Sequence, residues 1–462
     1  MPDAPPPGPP ASGPDVLALL RSRQYLALLV IVAILGVIVA AAAYWFLDLV
    51  GYLQKWIFNP AYLPKALGFH GEPVWWPLPT VCLAGILVGL TIRYLPGRGG
   101  HSPADGFAMH GPPERIELPG VVLAALAGLA LGAVIGPEAP LIAIGGGLAA
   151  GIVRSAKKDL PEQSIRVVAA SGSFSAISTL LGSPLSGAFL LMEASGLGGP
   201  MLGLVLVPGL LAAGIGSLIF LGFDAWTGHG TFSLAIPNLP HIGHPTGAEF
   251  GWALVIGVAA VVIGGLIRWL ALYLKPLVEP RIVILCPVVG LAVGGLAVAY
   301  AEGTGKSSSD VLFSGQTALP SLVTNSATYS VGALLLLIAC KGLAYGSSLS
   351  AFRGGPIFPA MFIGGAGGVL MSHLPGLPEV AGVAMGIGAM TTAMLGLPLT
   401  AVLITTIILG SAGINVMPLT IVAVVVTYVG HAHFAPRPRP GPGATEAGTP
   451  AEAPSARASQ AA

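Results

Sequence analysis

Apolar residues gather into long runs along this chain, and charged residues stand mostly between them. Runs of spanning length fall near 25–53, 78–95, 120–135, 200–222, 249–275, 281–301, 331–349 and 413–433. Shorter apolar pieces, at 138–153, 167–182, 184–195, 357–371 and 381–396, are broken off by glycine and proline. A helix needs about 20 residues to cross a bilayer. The long runs therefore predict transmembrane helices, and the short ones predict half-helices or re-entrant segments. Broken backbone at membrane depth must be buried in protein or line a watery path, because lipid offers it no hydrogen bonds. The pattern predicts an all-α, polytopic membrane protein built around a pathway.

Two of the interrupted pieces share a line of residues. Gly136-Pro137-Glu138-Ala139-Pro140 runs on to Ile144-Gly145-Gly146, and Gly355-Pro356-Ile357-Phe358-Pro359 runs on to Ile363-Gly364-Gly365. Aligned without gaps, the twelve residues from each start match at six positions. Leu181-Gly182-Ser183-Pro184-Leu185-Ser186 is echoed by Leu395-Gly396-Leu397-Pro398-Leu399-Thr400. Matching interruptions in two halves mark a repeat-built transporter, and they point to its binding site. The halves run over about 24–222 and 249–433. The residues leave open whether the repeat is inverted or parallel.

Composition supports the membrane reading: 54% hydrophobic and 8% charged is too little charge to cover a soluble surface. A net charge of +1 gives no footprint for nucleic acid. Cys82, Cys286 and Cys340 lie in apolar runs, so neither a disulfide nor a metal site is expected. No cofactor is expected either, since glycine runs such as Gly145-Gly146-Gly147 lack the lysine of a phosphate loop. Arg21 and Arg23, Arg93 and Arg98, and Arg154, Lys157, Lys158 and Arg166 mark the cytoplasmic side by the positive-inside rule. That places both termini in the cytoplasm and the membrane domain, 24–433, in the cell membrane. Residues 1–23 read as a cytoplasmic tail ending in a short surface helix, and 434–462 as a disordered tail.

Proline is favoured at a helix start, and the free amides that follow carry a partial positive charge. At membrane depth such an end becomes an anion site. Two of them facing one point would bind an anion without a fixed cation. Glu138 stands in the first turn of one of these helices. It could simply complement the helix dipole. An ionisable group within the membrane more often carries function. In that reading its carboxylate competes with an inorganic anion for the site, and protonation releases it.

Gly-Pro-Glu-Ala-Pro resembles the Gly-Lys/Arg-Glu-Gly-Pro signature of the CLC family of chloride channels and proton/chloride antiporters. Gly354 to Pro359 is similar to that family's Gly-Gly-x-Phe-x-Pro, and Lys341 falls where many members carry a lysine. Ser183 to Glu193 resembles the stretch leading to the family's glutamate pair. The resemblance covers about 24–433. It implies an inverted repeat with tilted and re-entrant helices, and a homodimer with one pathway per subunit. It makes Glu138 the gate and places anion contacts at the amides near Ala139, Ile357 and Phe358. Lys341 and Arg353 are candidates for shaping the anion's field, and Glu193 for a proton pathway; the residues themselves favour a Lys341 paired with a carbonyl or carboxylate and a Glu193 that is a hydrogen-bonded structural carboxylate.

The departures are specific. Aligned on Pro103, Gly100 stands where the family has an anion-coordinating serine, and Ser102 is the nearest hydroxyl. Tyr428 lies too early to match the family's late tyrosine. Ala194 replaces the second glutamate of the pair, which leans toward a channel. Pro356 lacks an N–H. So sparse a site predicts transport of chloride together with bromide and nitrate. Proton-coupled exchange of the same anions is the alternative. A cation-coupled transporter would need more carboxylates in the broken helices. A membrane-embedded enzyme would need a nucleophile and base, and none is evident.

Overall fold

Proline and glycine set the ends of the helices. The computed structural model describes residues 20–107, 111–156, 160–178, 180, 181, 183–196, 200–230, 232, 234–236, 239, 240, 243 and 245–434. Most of the expected tails (1–19 and 435–462), Lys157, Lys158 and Gly182 lie outside these. The first half holds α1 (Arg23–Phe58), α2 (Pro77–Tyr94), α3 (Leu118–Ala130), α4 (Glu138–Ala156), α5 (Glu162–Ala176), α6 (Pro184–Ser195) and α7 (Pro200–Thr227). The second holds α8 (Gly247–Val278), α9 (Ile282–Thr304), α10 (Val331–Ala351), α11 (Ile357–Met371), α12 (Glu379–Leu395), α13 (Pro398–Ile408) and α14 (Gly410–Phe434). Seven helical stretches among the described residues are long and apolar enough to cross a membrane.

The halves pack alike. α4 lies on α5 as α11 lies on α12, and α1 lies on α7 as α8 lies on α14. α5 meets α7 as α12 meets α14. Glycines allow this at equivalent places. A Cβ on Gly145 would come 2.6 Å from the carbonyl oxygen of Gly172, and one on Gly364 would come 2.3 Å from that of Gly386. Small residues let membrane helices approach backbone to backbone. α2 and α9, equivalents of one another, pack together directly.

Gly136 and Gly355 form an isolated antiparallel bridge, exchanging N–H···O bonds of 2.7 and 2.6 Å. Equivalent residues that pair antiparallel are related by a local twofold axis that reverses chain direction. That is the relation an inverted repeat has.

One expected span is shorter than its apolar run. The run near 120–135 yields only α3, which stops at Ala130 because Gly132 adopts φ +102°. The chain then continues non-helical through Pro137. This break carries it to the bridge and starts α4 inside the protein.

Candidate functional site

The site forms where α4 and α11 begin. Glu138 and Ile357 are the first residues of the two helices, each preceded by proline. Glu138 is 0% exposed, and its Oε1 accepts the amide hydrogen of Ile357. The amides of Phe358 and of Glu138 itself also interact with the carboxylate. Oε2 has no hydrogen-bond partner among the described residues. The carboxylate lies across the paired glycines: a Cβ on Gly136 would sit 2.0 Å from Oε2, and one on Gly355 would sit 2.1 Å from Cδ. Glycine at both positions leaves the room that the carboxylate occupies.

The surroundings are tied down. Ser348 on α10 accepts the amide of Val134 at 3.2 Å. The buried hydroxyl of Tyr345 donates to the carbonyl of Pro356 at 2.6 Å, fixing the turn that presents Ile357. A cavity of about 1440 Å³ runs up to this point. Its wall includes Ala139, Pro356, Gly100, Ser102 and Arg353, with Arg166 farther out. Ala139 and Pro356 flank the buried Glu138 where the cavity stops. Ser102 is 8% exposed, and its hydroxyl has no hydrogen-bond partner among the described residues. Arg353 is 6% exposed, and its guanidinium donates to the carbonyls of Arg98 (3.4 Å) and Phe352 (3.3 Å).

Glu138, Ala139, Ile357 and Phe358 thus come together, with Ser102 and Arg353 on the approach. Three further candidates have structural partners of their own. Gly100 offers no donor, because it has no side chain and its amide donates to the carbonyl of Gly97 at 2.8 Å. Ser102 is the hydroxyl nearest Gly100 in sequence on the cavity wall, which Ser173 and Ser195 also line. Lys341, 0% exposed, points its ammonium into the carbonyls of Asp310, Val311, Leu312 and Phe313 at 3.0–3.4 Å, with the Phe362 ring beneath it. Its charge is spent on holding that turn. Glu193 caps α13 from a neighbouring helix: it accepts the amides of Leu399 (3.0 Å) and Thr400 (2.7 Å) and the Thr400 hydroxyl (2.5 Å). The capping residue Leu397 has no side chain for this task, so Glu193 supplies it.

Sequence reasoning missed Tyr345. The signal was a tyrosine inside an apolar run, one helical turn beyond Lys341. His431 is half-buried, with Nε2 3.0 Å from Nη1 of Arg268 on α8.

Residues 84–431 match the family model described as "Voltage gated chloride channel". A putative ion-transport protein, YfeO, from Escherichia coli O1:K1 is 29% identical over 330 residues, spanning 70% of this chain and 75% of the relative. The YfeO of Shigella boydii serotype 4 matches equally. Among solved structures, a slow cyanobacterial Cl⁻/H⁺ antiporter aligns with TM-score 0.70 at 18% identity, over 89% of this chain and 95% of the other. A CLC-type fluoride/proton antiporter aligns with TM-score 0.63 at 19% identity, over 87% and 95%. At these identities the structural likeness speaks for the fold.

Proposed function

The chain belongs to the voltage gated chloride channel family, and on that premise we propose that it carries chloride and similar small anions along a pathway gated by Glu138. Members of this family are transporters and channels, not enzymes, and its common thread is anion transport. One observation carries the gate: the Glu138 carboxylate lies between the two helix starts and takes up the Ile357 amide. An incoming anion would need that donor. Deprotonated, Glu138 keeps the place closed; protonated, it loses its attraction to the positive helix end and can swing away. Arg353 and Arg166 raise the local concentration of anions on the approach.

Proton-coupled exchange is the second reading. Two solved structures of the same fold are described as antiporters of protons with chloride or fluoride. A gate that opens by protonation also carries a proton, so one residue serves both readings. We include in the proposal a homodimer with one pathway per subunit, placed in the cell membrane with both termini cytoplasmic.

Reversal potentials of the purified protein in bilayers test the reading. With only an anion gradient imposed, the potential is expected to follow that gradient. A potential that ignores the anion gradient removes anion transport along this path. A potential displaced by a proton gradient alone selects exchange over passive flow.

A further inference from the structure

A second cavity, of about 810 Å³, lies beside the approach, where the end of α2 meets the start of α9. Arg93, Arg98, Arg281 and Arg353 line it. Its two acids, Asp105 and Glu279, are both drawn to Lys275, at 2.5 and 3.6 Å. Among the described residues, none of the four arginines forms an ion pair with a carboxylate. Ser102 also opens onto this cavity, with its buried hydroxyl unpartnered among the described residues. Three arginines, a buried guanidinium behind them and an orphan hydroxyl make a wall for an oxyanion with several acceptor oxygens.

The flank above the cavity is apolar. Leu83, Leu87 and Leu90 on α2 are exposed, as are Ile284 and Val288 on α9. On a membrane helix pair that surface faces acyl chains. Basic pockets at the ends of membrane helices take acidic headgroups. The volume suits a headgroup with its glycerol rather than a monatomic ion. We propose that this cavity binds the phosphate headgroup of an anionic phospholipid, with the phosphate among Arg93, Arg98 and Arg281 and its inner side toward Ser102 and Arg353. Those last two residues also line the approach to Glu138. A bound phosphate therefore partners Arg353 from the lipid side and weakens the field that gathers anions. The site is independent of how transport is coupled.

Native mass spectrometry of detergent-purified protein titrated with phosphatidylglycerol or phosphatidylcholine tests this. Wild type is expected to retain phosphatidylglycerol in preference. Arg93→Gln combined with Arg281→Gln, two exposed positions away from Glu138, is expected to lower that retention by about tenfold. Arg23→Gln, an exposed arginine at the start of α1, is expected to retain it in full. If the double variant aggregates, Arg281→Gln alone carries the test, with a smaller loss in the same direction. Unchanged retention in the variants at the cavity, or an equal loss in Arg23→Gln, overturns the proposal. Inorganic phosphate is the second arm, expected to displace the lipid only in large excess. Displacement at matched concentration assigns the site to soluble phosphate and overturns the lipid.

Discussion

The amide of Ile357 donates to the carboxylate of Glu138, and these two residues hold the same place in the two halves of the chain. Each opens its helix two residues after a paired glycine. The twofold relation that pairs the glycines brings the helix starts together. One half then supplies a carboxylate and the other the unpaired amides of a helix end. Alone, each is a common feature of a helix N-terminus. Together at membrane depth they are the parts from which the proposed gate, and the site it would block, are built.

Gly355→Ala is expected to push the Glu138 carboxylate out of its place. The added Cβ meets only Glu138 side-chain atoms as its nearest neighbours. A flexible chain end gives way more easily than backbone, so the cost to stability should stay near the low end of the about 1–3 kcal/mol of overpacking. Anion efflux from liposomes should rise and lose much of its pH dependence. A large drop in melting temperature with unchanged efflux would mean that the carboxylate does not move as the gate.

Ser102→Ala is expected to weaken chloride binding by about 2- to 10-fold, the worth of one hydrogen bond. Permeability to bromide and nitrate should stay close to that of chloride. Adding a hydroxyl at Gly100 is a poor alternative. Its backbone sits at φ +95°, ψ −173°, which a side chain resists at a cost of about 1–3 kcal/mol. Isothermal titration with chloride and bi-ionic reversal potentials check both statements. Unaltered chloride affinity in Ser102→Ala would exclude Ser102 from the path.

Helix positions were legible in the sequence because apolar runs and proline set them directly. The central pair of helix starts was legible for the same reason, through the repeated Gly-Pro. The structural roles of Lys341 and Glu193 were legible in kind, but their partners were not. Lys341 and Glu193 both sit in charge-poor stretches, where an ionisable side chain suggests function. Their partners are backbone groups distant in sequence, at Asp310 to Phe313 and at Leu399 and Thr400. Backbone partners leave no mark in residue identity. Tyr345 was hidden likewise, since it holds a carbonyl rather than a side chain.

Lys341→Met and Glu193→Ala are therefore expected to change stability more than transport. Lys341→Met strands buried carbonyls, a loss of about 1–3 kcal/mol. Glu193→Ala removes a helix cap, worth about 0.5–2 kcal/mol. Thermal melts should fall for both, while permeability ratios and any proton flux hold steady. Abolished proton flux in Glu193→Ala at normal stability would return Glu193 to a proton route.

Glu72, in the loop before α2, gives a pH-dependent contribution to stability. Burial pushes its carboxyl up from 4.5 to about 7, and a hydrogen bond with Ser308 pulls partly the other way. The folded protein then holds this proton more tightly than the unfolded chain. Its contribution is present below about pH 4.5 and is lost as pH rises toward 7. Between those values the melting temperature of wild type should fall relative to Glu72→Gln. Parallel curves for the two proteins would contradict this.

The central claim is that the Glu138 carboxylate closes the path and that protonation opens it. The most direct measurement is chloride efflux from liposomes by wild type and Glu138→Gln, from about pH 5 to about pH 8. Glutamine keeps the size of the side chain and removes its charge. Wild-type efflux should rise as pH falls, and Glu138→Gln should stay at or above the acidic wild-type rate at every pH. If Glu138→Gln keeps the wild-type pH profile, Glu138 is not the gate.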